Sequence, residues 1–215
     1  MKLQKIGGIS AIASLFVWFV AVLIYNRFGL PSDPVKAMEA YSVAPVYPHI
    51  PLLLIEVCYI LLMAFFLALH ERMHAAAPYL TRIMLIAISA AAAMGIMEVV
   101  IWITGMQKIV PARDVSAYRA LDAIFNGLHD AAGHAAMWAT LFAGWAILKS
   151  RAFKPILGWL SLAASILAIL RFIIPQVGLV YPFYIAYVAI IWMGIEMLRK
   201  KQPEVSSAAN ETAAL

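Results

Sequence analysis

The sequence has little charge and almost no cysteine. Of its 215 residues, 13% are charged and 65% hydrophobic, where a soluble domain carries about a quarter and about half. So few charges cannot cover a water-facing globule, and an ordinary soluble fold is excluded. The single cysteine, Cys58, rules out an intramolecular disulfide and any cysteine metal motif; it lies in an apolar run and reads as a packed side chain. There is no Ser-His-Asp set, no glycine-rich phosphate loop and no arginine cluster that would cradle a pyrophosphate. The N-terminal apolar run lacks a small-residue cleavage pattern and ends in "IYNRFG", so it reads as a retained first helix.

What the chain does have is apolar runs of about 20 residues, each long enough to cross a hydrocarbon layer of roughly 30 Å as a helix. These predict an all-α polytopic membrane protein with six transmembrane helices in one bundle, at about 6–25, 50–69, 83–105, 121–148, 156–174 and 183–198. The connections carry breakers: "GLPSDP", "AAAPY", "IVPARD", "RAFKP" and "PQVGLVYP". Within the longest, "DPVKAMEAYSV" predicts a short helix at the outer interface, because Asp and Pro suit a helix start. Residues 1–200 form one transmembrane domain, and 201–215 a polar tail expected to be disordered.

Net charge is +5, but the basic residues fall in short clusters between apolar runs, which points to topology and the bilayer as partner, not to nucleic acid. Ten Lys and Arg (Lys2, Lys5, Arg72, Arg82, Lys149, Arg151, Lys154, Arg199, Lys200, Lys201) face five on the other side (Arg27, Lys36, Lys108, Arg113, Arg119). The excess places both termini in the cytoplasm.

Polar residues inside the spans are the informative ones. Asp122, Asn126, Asp130 and His134 recur every four residues and share a helical stripe, with His129 at its border. Measured along the spans at about 1.5 Å per residue, Glu56 and Glu98 lie about 9–10 Å deep, His129 and Asp130 about 12–13 Å, and Arg171 about 5 Å. The expectation is a single polar cluster in the outer half of the bundle, formed by Glu56, Glu98, Asn126, His129, Asp130, His134 and Arg171. Intramembrane ionisable groups cost about 2.5–3.5 kcal/mol each on insertion scales and persist where they find partners or work. Three carboxylates against one arginine require compensation by protons or a bound cation.

Several chemistries fit such a cluster. Glu98, His129, Asp130 and His134 are candidate ligands for a metal ion, although histidines five apart point about 140° away from each other on a helix and no standard motif identifies a cofactor. A haem would need two facing histidines at one depth, and His49, His70, His74 and His134 offer no matched pair. Descending from Asp122 to His134, the stripe also suits a proton path, though one without an inner exit. As acid and base groups, Glu56, Glu98, His129 and Asp130 would suit a membrane enzyme acting on a lipid or isoprenoid. Other readings are a site for a proton, cation or small ligand, a purely structural network, and an accessory subunit of a homo-oligomer or larger membrane complex. Trp18, Trp102, Trp145, Trp159, Tyr181 and Tyr184 read as interfacial anchors, and Trp138 and Trp192 as deeper walls.

The segments "KIGGISAIAS", "IFNGLHDAAGHAAMW", "KPILGWLSLAASI" and "IIWMGIEMLRKK" resemble a family of small bacterial six-span membrane proteins catalogued as a domain of unknown function. The resemblance implies a bacterial inner-membrane location and brings no reaction and no catalytic residues.

Overall fold

The computed structural model describes residues 2–170, 174 and 181–199. These form seven helices and no strand: α1 (Lys2–Phe28), α2 (Pro34–Val43), α3 (His49–Met73), α4 (Pro78–Ala112), α5 (Val115–Ser150), α6 (Pro155–Leu170) and α7 (Tyr181–Arg199). Four of them, α1, α3, α4 and α5, are long and apolar enough to cross a membrane, and α6 is a shorter apolar helix. The expected tail and Arg171 lie outside the described residues.

Local chemistry sets the helix ends. Pro34 opens α2, and the Asp33 carboxylate accepts the Lys36 amide at 2.9 Å, satisfying one of the donors that the first turn leaves without a partner. Asp114 caps α5 in the same way through the Ala117 amide, also at 2.9 Å. Between α4 and α5 stand only Arg113 and Asp114. Arg113 takes the left-handed conformation, φ 51°, that reverses a chain after a helix.

The sequence "IVPARD" reads as a breaker, yet α4 runs through Pro111 and ends at Ala112. Pro111 cannot donate to the Gln107 carbonyl and crowds it, and the helix ends one residue later, so the proline sets the end of α4 without stopping the turn that contains it. As a result α4 and α5 extend well past the apolar runs at 83–105 and 121–148, to 35 and 36 residues.

Each of the six longer helices packs chiefly against two others: α1 on α3, α3 on α4, α4 on α5, α5 on α6, α6 on α7, and α7 back on α1. The helices therefore close into a ring. Glycines set two of these crossings. A Cβ on Gly144 of α5 would stand 2.8 Å from the Gly158 carbonyl of α6, and one on Gly8 of α1 would stand 2.8 Å from the Gly194 carbonyl of α7. The paired "GGISAIASL" and "GWLSLAASI" segments lie at these crossings, with Ser10, Ser14, Ser161 and Ser165 all buried.

Two cores result. The larger, around Phe65, Phe66, Leu69, Met84 and Ile147, fills one part of the ring. The smaller joins Met38 and Tyr41 of α2 to Trp102, Met106, Tyr118 and Leu121 of the α4–α5 hairpin. At the opposite end, Arg72 donates to the Ala152 carbonyl at 3.1 Å and lies 4.3 Å over the Phe153 ring. The charge of buried Glu196 of α7 acts on Arg72 of α3 across the bundle.

Candidate functional site

Inside the ring is a cavity of about 300 Å³ whose walls come from α1, α3, α4, α5 and α7. Its α3 wall is Ile55, Cys58, Tyr59, Leu62 and Phe66, which the i, i+3, i+4, i+7 spacing brings to one helical face. Trp18, Tyr184 and Tyr187 form an aromatic side: Trp18 meets Tyr184 edge-on at 5.9 Å and Tyr187 at 5.4 Å. The Cys58 thiol sits 3.8 Å from the Tyr187 hydroxyl. From α5, His129 and Asp130 line one end of the cavity and Thr140 reaches it three turns further along.

Behind His129 stands Glu98. This carboxylate has no accessible surface, and its Oε1 lies 3.0 Å from Nδ1 of His129, which keeps 54% of its own side chain exposed. Oε2 of Glu98 is buried with no hydrogen-bond partner among the described residues. Tyr59 lies close enough to interact with the Glu98 charge. It reaches that position because Gly95, one turn before Glu98, has no side chain: a Cβ there would overlap the Tyr59 ring.

The seven expected site residues are thus divided. His129 and Asp130 line the cavity, and Glu98 is tied to it through His129. Asp122 and Asn126, on the same stripe but one to two turns earlier, line a second cavity of about 360 Å³ near the α4–α5 turn. His134 accepts the Trp138 indole N–H at 3.0 Å within α5. Glu56 is half-buried and is not among the residues that line either cavity. Among the described residues no group of three or more His, Cys, Asp or Glu side chains is placed to hold a metal ion, so the four metal candidates converge only as far as the Glu98–His129 pair.

The aromatics also differ from expectation. Trp18 and Tyr184, read as interfacial anchors, are cavity walls, and Trp102 is buried in the smaller core. Trp138 is 38% exposed, and Trp192 lies under the Lys154 ammonium at 5.9 Å. Tyr59 and Tyr187 were not anticipated as site residues. A phenol in the middle of an apolar run was the available signal, since its hydroxyl needs a partner there.

Comparison of the chain with protein-family models, curated proteins and solved structures finds no match.

Proposed function

We propose that the protein is an integral membrane protein that binds a small, mostly apolar ligand inside its helix ring, with His129 and Asp130 receiving a polar head. The observation that carries this reading is that a fully buried carboxylate, Glu98, holds Nδ1 of an imidazole that forms part of a cavity wall. With its proton on Nδ1, toward Glu98, His129 carries its acceptor lone pair on Nε2. His129 and the Asp130 carboxylate then both accept hydrogen bonds, so the preferred head is a donor: a hydroxyl, an amine or an ammonium. Aromatic walls and a volume at the lower end of known ligand pockets suit a compact lipophilic body.

The same reading extends to topology. In it α1, α3, α4, α5, α6 and α7 all cross a bacterial inner membrane, and both termini lie in the cytoplasm with the ten-residue basic side.

Native mass spectrometry of the gently solubilised protein tests the ligand. The expected spectrum contains a stoichiometric small-molecule adduct that is lost in His129→Ala and weakened in Glu98→Gln. A bare native protein, or an adduct equally abundant in both variants, rejects the reading.

A second reading draws on the same pair. A histidine oriented by a buried carboxylate is also the arrangement of a general base, so a membrane enzyme acting on a lipid-like substrate fits the geometry. Recovery of a chemically changed molecule after incubation with the native protein, and of an unchanged one after incubation with His129→Ala, would select it.

A further inference from the structure

The second cavity does not rest on the reading of the first, and its lining has a different chemistry. It lies between the α1–α2 linker, the start of α3 and the α4–α5 hairpin. Arg119 and Asp122, one turn apart on α5, both line it. Residues three apart on a helix are close enough to pair, yet no ion pair within 4.0 Å joins these two, and neither forms one with any other described residue. Beneath them is an aromatic floor: buried Trp102 and Tyr118 meet edge-on at 6.0 Å, and Phe125 lies 4.7 Å from Trp102. Tyr25 closes one side.

We infer that this cavity binds a small zwitterion, with its ammonium held at Asp122 among the aromatic rings and its anionic group at Arg119. The alternatives each leave a part of the lining unsatisfied. A simple anion would meet the Asp122 carboxylate, and a bare metal cation would meet the Arg119 guanidinium with only one carboxylate to hold it. A wholly apolar molecule would desolvate both charges without a partner. Aromatic rings attract ammonium groups, most strongly methylated ones, and a guanidinium matches carboxylate or phosphate oxygens. The cavity lies where the α4–α5 hairpin outgrows its neighbours, so the zwitterion has two sources: a solute such as a betaine, or the headgroup of a zwitterionic lipid.

The test uses the full chain in two arms. In nanodiscs of phosphatidylglycerol, calorimetric titration compares glycine betaine with 3,3-dimethylbutanoate, the same shape with carbon in place of the charged nitrogen. In delipidated protein, native mass spectrometry compares retention of phosphatidylcholine and phosphatidylglycerol. Betaine binding at least about tenfold tighter than its carbon analogue identifies a solute site, and preferential retention of phosphatidylcholine identifies a headgroup site. In either case Asp122→Asn and Arg119→Gln each weaken binding by about tenfold or more, while Lys149→Gln, at the far end of α5, leaves it unchanged. The inference is overturned if neither zwitterion is preferred to its control, or if both cavity variants bind like the native protein.

Discussion

Removing the imidazole from His129 would leave the Glu98 carboxylate buried with neither oxygen partnered among the described residues. Leaving a buried polar group unsatisfied costs about 1–3 kcal/mol, whereas replacing both partners by apolar groups is close to neutral. Thermal unfolding of the solubilised protein should therefore show His129→Ala destabilised by about 1–3 kcal/mol, with Glu98→Leu added to it restoring part of the loss. Strictly additive effects would mean that the pair does not interact. Gly95 gives a second expectation, because a methyl group there overlaps the Tyr59 ring, which is a wall of the cavity. Gly95→Ala should cost about 1–3 kcal/mol through overpacking and should weaken the ligand adduct by displacing the Tyr59 wall. Gly133→Ala serves as the contrast. Its Cβ meets nothing closer than the Phe183 ring at 3.8 Å, and the exchange should be neutral or stabilising by up to about 1 kcal/mol. At this scale the site was half legible. Glu98, His129 and Asp130 stood out because ionisable residues are rare in apolar runs. Glu56 stood out equally, but depth along a span says nothing of rotation about it: Ile55, Cys58, Tyr59, Leu62 and Phe66 occupy the cavity face, and Glu56 falls beside that face.

Helices pack where their surfaces let backbones approach, and the α5–α6 crossing depends on Gly144 and Gly158 facing each other. A Cβ on Gly144 would stand 2.8 Å from a carbonyl oxygen and 3.0 Å from a backbone nitrogen. Neither atom can rotate away, so Gly144→Ala should force the helices apart and lower stability by about 1–3 kcal/mol, measurable as the same thermal shift. An unchanged melting temperature would show that the crossing is loose. Legibility here followed the source of each signal. Hydropathy located the apolar stretch of every long helix, and the Asp33-Pro34 pair located α2 through its cap. The lengths of α4 and α5 were hidden because the last turns of α4, "MQKIVPA", and the first turns of α5, "VSAYRA", carry the polar residues and proline of a loop. What holds those turns helical is contact with α2 in the smaller core, a tertiary effect that local propensity does not contain.

Over the whole molecule, the ring and the smaller core together define a direction. At about 1.5 Å per residue, α4 and α5 are each about 50 Å long, against a hydrocarbon layer of roughly 30 Å. Their turn must therefore stand clear of the layer if both helices cross it. The α2 helix packs against that projecting part, on the side with fewer basic residues, while Lys2, Lys5, Arg72, Arg82 and Lys149 gather at the other end. In the topology we propose, with positive charge held on the cytoplasmic side, α2 lies outside, Lys149 inside after four crossings, and Arg199 inside after six. Cysteines introduced singly at Glu39, Lys149 and Arg199, all exposed positions, make this measurable with a membrane-impermeant maleimide on intact cells. The native chain supplies its own blank, because Cys58 is only 4% exposed. Glu39→Cys should label directly, and Lys149→Cys and Arg199→Cys only after permeabilisation. Labelling of Glu39→Cys and Lys149→Cys from one side would mean that one of α3, α4 and α5 does not cross. Labelling of Lys149→Cys and Arg199→Cys from opposite sides would mean that only one of α6 and α7 does. In that case the ring would be closed by a helix lying within the membrane, and the cavity behind His129 would open on a different face.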